Sequence, residues 1–362
     1  MEPHLVAAVV EEELGAPPDR VFAYFSPRPI AAASIGQVHT AHLADGTELA
    51  VKVQYPGVDE AIRADLANTE ALAVVVKTAL AMLPGFVPNF DVRTVVAEIV
   101  ERVGEELDYH TEAANQREFE AVYRGHPFIH IPRVFDELSS ARVLTMEMVD
   151  GRRWEAALES PKELRDSWGE VINRFVWGSI EHYGLSNADP HPGNYLFHED
   201  GTVTFLDFGS VKRFTDEQRR KFNAIAAAVV AGDAKALYEA YIDIGFLPAG
   251  DDKLDPDRLL EWCGLSFEPV LAPQPYSYRK RFAADLAAAW YDPAGPWSDV
   301  PRRFSMPKDL VFLNRIIIGL ESVLGALEPT ADWRAIDAEI RTGAPPATEL
   351  GRQDEAWRLG NC

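Results

Sequence analysis

The chain has 362 residues, 47% of them apolar and 10% aromatic, so it is long enough for two core-forming units and too apolar for a disordered chain. Its 35 Lys and Arg stand against 57 Asp and Glu, a net charge of −22, which argues against a nucleic-acid backbone as main partner and against electrostatic adhesion to an anionic membrane. Two cysteines cannot build a disulfide framework, no secretory signal opens the chain, and the most apolar run, Ala71 to Leu83, is shorter than the ~20 residues a bilayer needs and contains Lys77. The expectation is a protein with no transmembrane segment, cytoplasmic or peripheral at a membrane.

In chain order, Pro3 to Leu14 reads as a short helix stopped by Gly15-Ala16-Pro17-Pro18. From Pro29 to Gln54 the pattern is strand-like, with Ala44-Asp45-Gly46-Thr47 as the turn between Gln37–Leu43 and Glu48–Gln54. Alternation in the second strand puts Leu49, Val51 and Val53 on one face and Ala50 and Lys52 on the other. A lysine among small apolar residues is either a solvated edge position or a buried cation aimed at an anion. The pattern alone favours the edge, because lysines are rarely buried unpaired.

A helix follows from about Val58, and a longer one from Val92 into the 110s. On the latter, Val92, Val95, Val96, Ile99 and Val103 make one apolar face with Glu106 in its middle. A carboxylate there needs a cation, and Lys52 is the natural candidate. Glu98, Glu101, Glu105, Asp108 and Glu112 share the opposite stripe, where solvation is expected. Arg142 to Val149 reads as another strand, and beyond Asp150-Gly151 the chain is mainly helical. The expected fold is α+β and two-lobed, with a β-containing N-lobe over 1–149 and a larger helical C-lobe over 150–362.

One hairpin interrupts the helical half. Tyr195 to His198 and Thr202 to Leu206 are strand-like runs around the turn Glu199-Asp200-Gly201. Pairing them about residue 200 sets Asn194 opposite Leu206 and Asp207, so two oxygen-donor side chains converge where a hard cation such as magnesium binds. Asp189 lies five residues before Asn194, and Asp207-Phe208-Gly209 closes the hairpin. An Asp, an Asn five residues on and an Asp-Phe-Gly are the polar parts that kinase-type phosphoryl transfer uses. Taken singly, each occurs by chance in many proteins. The stretch Ala31-Ala32-Ala33-Ser34-Ile35-Gly36-Gln37 sits where a phosphate-covering loop would, although three alanines make it stiffer than a glycine loop and by itself it reads as packing.

Together these segments resemble the UbiB-type atypical kinases, the AarF-domain proteins tied to ubiquinone biosynthesis. The resemblance covers about Leu14 to Phe214, with a weaker match at Pro307 to Ala326. It rests on Ala31 to Val38, Ala50 to Gly57, Glu106 to Tyr109 with Glu112 to Asn115, Asp189 to Asn194 and Asp207 to Gly209. It implies a protein-kinase-like fold that binds ATP (or ADP) with magnesium under the alanine-rich loop formed by Ala31, Ala32, Ala33, Ser34, Gly36 and Gln37. It also implies ATPase or lipid-linked activity in isoprenoid quinone metabolism, with lipid-like substrates and lipid-biosynthesis proteins as partners. By the same resemblance Lys52 contacts the α and β phosphates and Glu106 holds it, with Asp108 completing a Glu-x-Asp element. Asp189 is then the catalytic-loop aspartate, Asn194 and Asp207 are magnesium ligands, Met146 backs the adenine pocket and the backbone from Glu147 to Val149 meets the base.

Two departures stand out. Most members carry a Lys-x-Gly-Gln element that packs over the site, whereas Lys52 is the first lysine here, so that cover is expected to be missing. Ser186-Asn187 precede Ala188-Asp189 where many relatives have an apolar residue and His, so support of that loop is expected to differ.

Only Ser210 to Phe214 separates Asp-Phe-Gly from Thr215-Asp216-Glu217-Gln218, a capping-box signature that starts a new helix. So short a segment leaves little platform for a protein substrate. The leading expectation is an ATP-binding atypical kinase or ATPase acting on a small or lipid-like substrate. A nucleotide-sensing pseudokinase that serves as an interaction module and a phosphotransferase for small metabolites stay open beside it.

Overall fold

A computed structural model of the chain describes residues 1–66, 107–250, 253–305 and 313–361. The first helix, α1 (Pro3–Leu14), begins with a proline whose missing N–H costs nothing in a first turn, and ends at Gly15, held at φ 77° where a Cβ would be strained. Its Val6, Val9 and Val10, spaced for one helical face, are buried against Leu49, Val51 and Val53. After a single turn, α2 (Pro18–Val21), come β1 (Tyr24–Ala32), β2 (Gly36–His42) and β3 (Glu48–Gln54), followed by α3 (Val58–Leu66). The strands join β5 (Val143–Glu147) in a four-stranded antiparallel sheet ordered β1-β2-β3-β5. The prolines of β1 fall on the sheet edge beside register shifts, where a missing donor breaks no ladder.

This order overturns the edge-strand reading of Lys52. Its strand is central, with β2 on one side and β5 on the other.

Between them in sequence, α4 (Tyr109–Val122) starts at an Asp108 N-cap whose side chain accepts the His110 N–H. Its first turns pack with Ile35, Leu144 and Met146. Phe119 and Tyr123 belong instead to the large core, as does β4 (Ile129–His130), which pairs in parallel with β8 (Val203–Phe205). That core forms around α6 (Lys162–Gly178), which follows the short α5 (Trp154–Leu158). Trp168, Val171, Ile172 and Phe175 of α6 are all buried, and the Phe175 ring stacks on Phe205 at 3.7 Å.

The expected hairpin is present: β7 (Tyr195–Phe197) and β8 pair antiparallel with Tyr195 opposite Phe205 and Phe197 opposite Val203. Strand β6 (Leu185–Asn187) pairs with β9 (Val211–Arg213), so the segment after Asp-Phe-Gly is a strand. Helix α7 (Asp216–Ala231) then begins at Thr215 with the reciprocal capping box the sequence signalled. The described remainder is mainly helical, with α8 (Ala234–Asp243), α9 (Pro256–Ser266), α10 (Glu268–Leu271), α11 (Phe282–Tyr291), α12 (Leu313–Leu327), α13 (Trp333–Thr342) and α14 (Glu349–Gly360), and two short strands, β10 (Tyr276–Ser277) and β11 (Thr330–Ala331), that pair antiparallel. Buried Arg174 of α6 donates to Glu170 on its own helix and, in bidentate fashion, to Glu339 of α13, so the charge taken out of water is fully paired. The arrangement is α+β and two-lobed, as expected. Among the described residues no helix is long and apolar enough to cross a membrane.

Candidate functional site

The face of β3 that carries Lys52 is covered by Tyr109 and Glu112 of α4, and Lys52 is 7% exposed. Its Nζ donates to both carboxylate oxygens of Glu112 at 2.8 Å, lies 3.5 Å from Oδ2 of Asp207 and sits 5.0 Å from the centroid of the Tyr109 ring. Burial pulls the ammonium pKa down, but Glu112, then Asp207, more than offset it, so the net direction is up and Lys52 stays charged.

Glu112 was expected on a solvated stripe and is 3% exposed, so that expectation is corrected. The reason is a phase break. Asp108, with φ −121°, caps a helix that starts afresh at Tyr109, so the periodicity counted from Val92 does not continue into it. Counted from the cap, Tyr109, Glu112, Ala113 and Gln116 form the buried face. Glu106, the expected partner of Lys52, lies outside the described residues, as does the helix reading from Val92 to Val103.

Three residues beyond Glu112, Asn115 donates from Nδ2 to the carbonyl of Phe208 at 2.9 Å. The fully buried Phe208 ring packs on Phe119 with centroids 4.8 Å apart. Helix α4 therefore fixes Lys52 with one side chain and the Asp-Phe-Gly backbone with the next. Asp207 accepts the Gly209 N–H at Oδ1, 3.0 Å, while Oδ2 faces Lys52. Burial pushes its carboxyl up, but Lys52 and the Gly209 N–H hold it below the usual range, so it is anionic.

On the other strand of the hairpin, Asn194 accepts the Leu206 N–H at its carbonyl, 3.0 Å, as the pairing about residue 200 predicts. Its Nδ2 leans on the Asp189 carbonyl at 3.4 Å. Asn194 and Asp207 are thus brought to one end of the hairpin as hard oxygen donors, and an anionic carboxylate with an amide oxygen suits magnesium, which takes one or two protein ligands and leaves the rest to phosphate and water.

Two residues outside the expected set hold this loop. Asn187 bridges it, with Oδ1 accepting the Asp189 N–H at 3.0 Å and Nδ2 donating to the Asp207 carbonyl at 2.5 Å. An Asn two residues ahead of a loop aspartate is a local Asx-turn signal, so this role was available in the sequence. Arg315 of α12 donates from Nη2 to Oδ1 of Asp189 at 2.5 Å, across 126 residues, and no local pattern announces it. Helix α12 comes close enough that a Cβ on Gly319 would lie 2.5 Å from Cγ of Pro190.

The alanine-rich segment is the β1–β2 turn. Ala31 and Ala32 end β1 opposite Val38 and Gln37, and Ala33 and Gly36 exchange backbone hydrogen bonds around Ser34 and Ile35. A Cβ on Gly36 would collide with the Val53 carbonyl oxygen, so neighbouring backbone demands that glycine. The Gln37 Oε1 is buried with no hydrogen-bond partner among the described residues. Met146 is buried behind the site, receiving Gln116 Nε2 at its sulfur, 3.6 Å. The Glu147 N–H is spent on the Arg133 carbonyl and the Met148 N–H on Glu48, while Val149 follows as the next link.

Comparison with known proteins gives the family and the fold. Residues 1–241 match the family model described as ABC1 atypical kinase-like domain. The chain is 36% identical over 247 residues to a chloroplastic aarF domain-containing protein kinase of Arabidopsis thaliana, covering 68% of this chain and 34% of that protein. It is 32% identical over 271 residues to the mitochondrial atypical kinase COQ8B of Rattus norvegicus, covering 75% of this chain and 50% of the relative. The chain thus spans half or less of the length of these curated relatives. A solved complex of Rv3197 with erythromycin, from Mycobacterium tuberculosis, superposes with a TM-score of 0.76 at 28% identity, covering 94% of this chain and 83% of that one. The chain belongs to the ABC1 atypical kinase-like family, the AarF-domain kinases its motifs resemble.

Proposed function

We propose that this protein binds ATP or ADP with magnesium and acts as an atypical kinase or ATPase on a non-protein acceptor. The carrying observation is the buried Lys52–Glu112 pair set 3.5 Å from Asp207, a fixed cation beside a carboxylate kept anionic. Lys52 donates to both oxygens of Glu112 and, over a longer 3.5 Å contact, to Asp207, and that longer contact is the one a nucleotide phosphate would share. Asp207 and Asn194 hold the metal, which when bound supplies neutralisation of phosphate charge. Asp189 orients the acceptor hydroxyl or water, and the alanine-rich turn with Gln37 lies over the phosphates. The strand β9 and the immediate start of α7 leave no extended segment for peptide docking, which supports a small or lipid-like acceptor. Isoprenoid quinone metabolism is the pathway the family resemblance suggests, with lipid-biosynthesis proteins as partners.

The test is ATP turnover by wild type, Lys52→Ala and Asp207→Asn, with lipid analysis of a deletion strain rescued by wild type or by Asp189→Asn. Turnover lost in the variants and a lipid defect rescued only by wild type support the proposal. Unchanged lipids remove the lipid assignment. A second reading, a nucleotide-sensing module without turnover, draws on one observation: Arg315 already occupies the Asp189 carboxylate. Magnesium-dependent ATP binding without turnover, in wild type and in Arg315→Ala alike, would favour it.

A further inference from the structure

Helix α4 meets the Asp-Phe-Gly turn with one stripe of side chains. Glu112, Asn115 and Glu118 stand three apart on it, the first against Lys52 and the second against the Phe208 carbonyl. Arg213 of β9, six residues beyond Asp207, reaches back to the same stripe. Its Nη2 donates to Oδ1 of Asn115 at 3.0 Å and also to the Glu118 carboxylate.

An exposed pair of Arg and Glu is ordinarily a solvated contact that contributes little, and the Arg213 and Glu118 side chains are 54% and 40% exposed. Asn115 sets this pair apart. It is 6% exposed, with one end of its amide on the guanidinium and the other 2.9 Å from the Phe208 carbonyl oxygen. Both contacts demand the same orientation: a flipped amide would set NH2 against guanidinium and oxygen against carbonyl, two repulsions in place of two hydrogen bonds. The bond from the charged donor is the stronger, so Arg213 decides which way the amide points.

The Phe208 carbonyl and the Gly209 N–H belong to one planar peptide unit, so fixing the direction of one fixes the other. Asn115 holds the oxygen of that unit, and its N–H donates to Oδ1 of Asp207 at 3.0 Å. We propose that Arg213 is a positioning residue for Asp207: acting through Asn115, it fixes the plane of the Phe208–Gly209 peptide and so the direction of the Asp207 carboxylate. Its consequence for magnesium rests on the nucleotide-site reading proposed above, in which a carboxylate already oriented binds the metal at lower concentration.

The experiment follows hydrogen exchange at the Gly209 amide by NMR in the full chain without nucleotide or metal, and then titrates ATP calorimetrically across magnesium concentrations. In Arg213→Ala, Gly209 should exchange about tenfold faster, the size of one hydrogen bond from a charged group, while amides of α6 keep their wild-type rates. Arg213→Lys, which still donates to Asn115, and Glu118→Ala, which leaves that bond in place, should both stay near wild type. Adding Arg213→Ala to Asn115→Ala should change nothing further, because the effect runs through Asn115. Where Asn115→Ala does not fold, the contrast between Arg213→Ala and Arg213→Lys decides. Arg213→Ala should also need about tenfold more magnesium for half-maximal ATP binding, with affinity in the absence of magnesium kept. Gly209 exchange unchanged in Arg213→Ala, equal acceleration in α6, additive effects in the double variant, or an unchanged magnesium requirement beside a wild type that binds magnesium-ATP would overturn the proposal. The stated exchange pattern in a wild type that binds no magnesium-ATP would support the positioning role and remove the nucleotide-site reading instead.

Discussion

The two charged ends of the site are held in opposite ways. At the end proposed to meet the phosphates, the Lys52 and Glu112 side chains are 8% and 4% exposed, with Asp207 as a third member. At the acceptor end, Asp189 and Arg315 are 37% and 50% exposed and meet through one contact. A buried pair is costly to break because the survivor keeps its charge without a partner, whereas an exposed pair contributes little and exchanges readily with solvent. In the proposed reading, the first is architecture that Lys52 carries into nucleotide binding, and the second is a contact an acceptor would displace.

The sharpest way to break that contrast is Glu112→Gln, which among the described residues leaves Lys52 with Asp207 as its one anionic partner. Denaturant unfolding should show a loss of about 3 kcal/mol. If it costs no more than an exposed pair, the contrast fails. Phe208→Ala probes the core under the same end and should cost about 3–5 kcal/mol by the same measurement, since the ring is fully buried between Phe119 and the α6 core.

Gly36→Ala comes next. The added methyl meets backbone at Val53, so the turn must shift, with an expected loss of about 1–3 kcal/mol. Because this turn covers the phosphates in the proposed reading, weaker nucleotide binding in a calorimetric titration should accompany that loss.

Acid stability separates the site from the rest of the molecule. Burial lowers the pKa of His39 and of His126, the latter beside Asp354. Their folded values lie below the unfolded value of about 6.5. The stability they allow is fully present above about pH 6.5 and falls as the unfolded chain takes up protons that the folded chain refuses. Buried Glu321, pushed up to about 8, works in the opposite direction over this window, so the test is a difference: relative to wild type, His126→Asn should lose less stability in urea between pH 7 and pH 5. Lys52 and Asp207 are shifted away from this window in opposite directions and should contribute nothing to it.

The smallest stability effect belongs to Arg315→Ala, at about 0–1 kcal/mol for a half-exposed ion pair. Its effect should appear in turnover instead, as a change in kcat with nucleotide affinity preserved. Equal loss of affinity would place Arg315 in the phosphate half and erase the distinction.

What was legible in the sequence follows the range over which each feature is encoded. The β7–β8 pairing is set by a turn and two short runs, and it brought Asn194 beside Leu206 as read. The alternation of β3 put Leu49, Val51 and Val53 against α1 and Lys52 on the opposite face, although only the packing of α4 shows that face to be covered. Glu112 was misplaced because a helical phase was carried through Asp108, which is a cap, while Glu106 lies outside the described residues. Asn187 had a local signal that was taken only as a departure from relatives. Arg315 had none, since its contact with Asp189 depends on how α12 packs.

The central claim is that Lys52, Asn194 and Asp207 form a magnesium-nucleotide site, and calorimetric titration of the protein with ATP, with and without magnesium, tests it directly. Wild type should bind ATP in a magnesium-dependent manner, Asp207→Asn should lose that dependence, and Lys52→Ala should bind at least tenfold more weakly, a loss of about 1.4 kcal/mol or more. No ATP binding by folded wild type, or binding indifferent to magnesium and to both substitutions, would contradict the account.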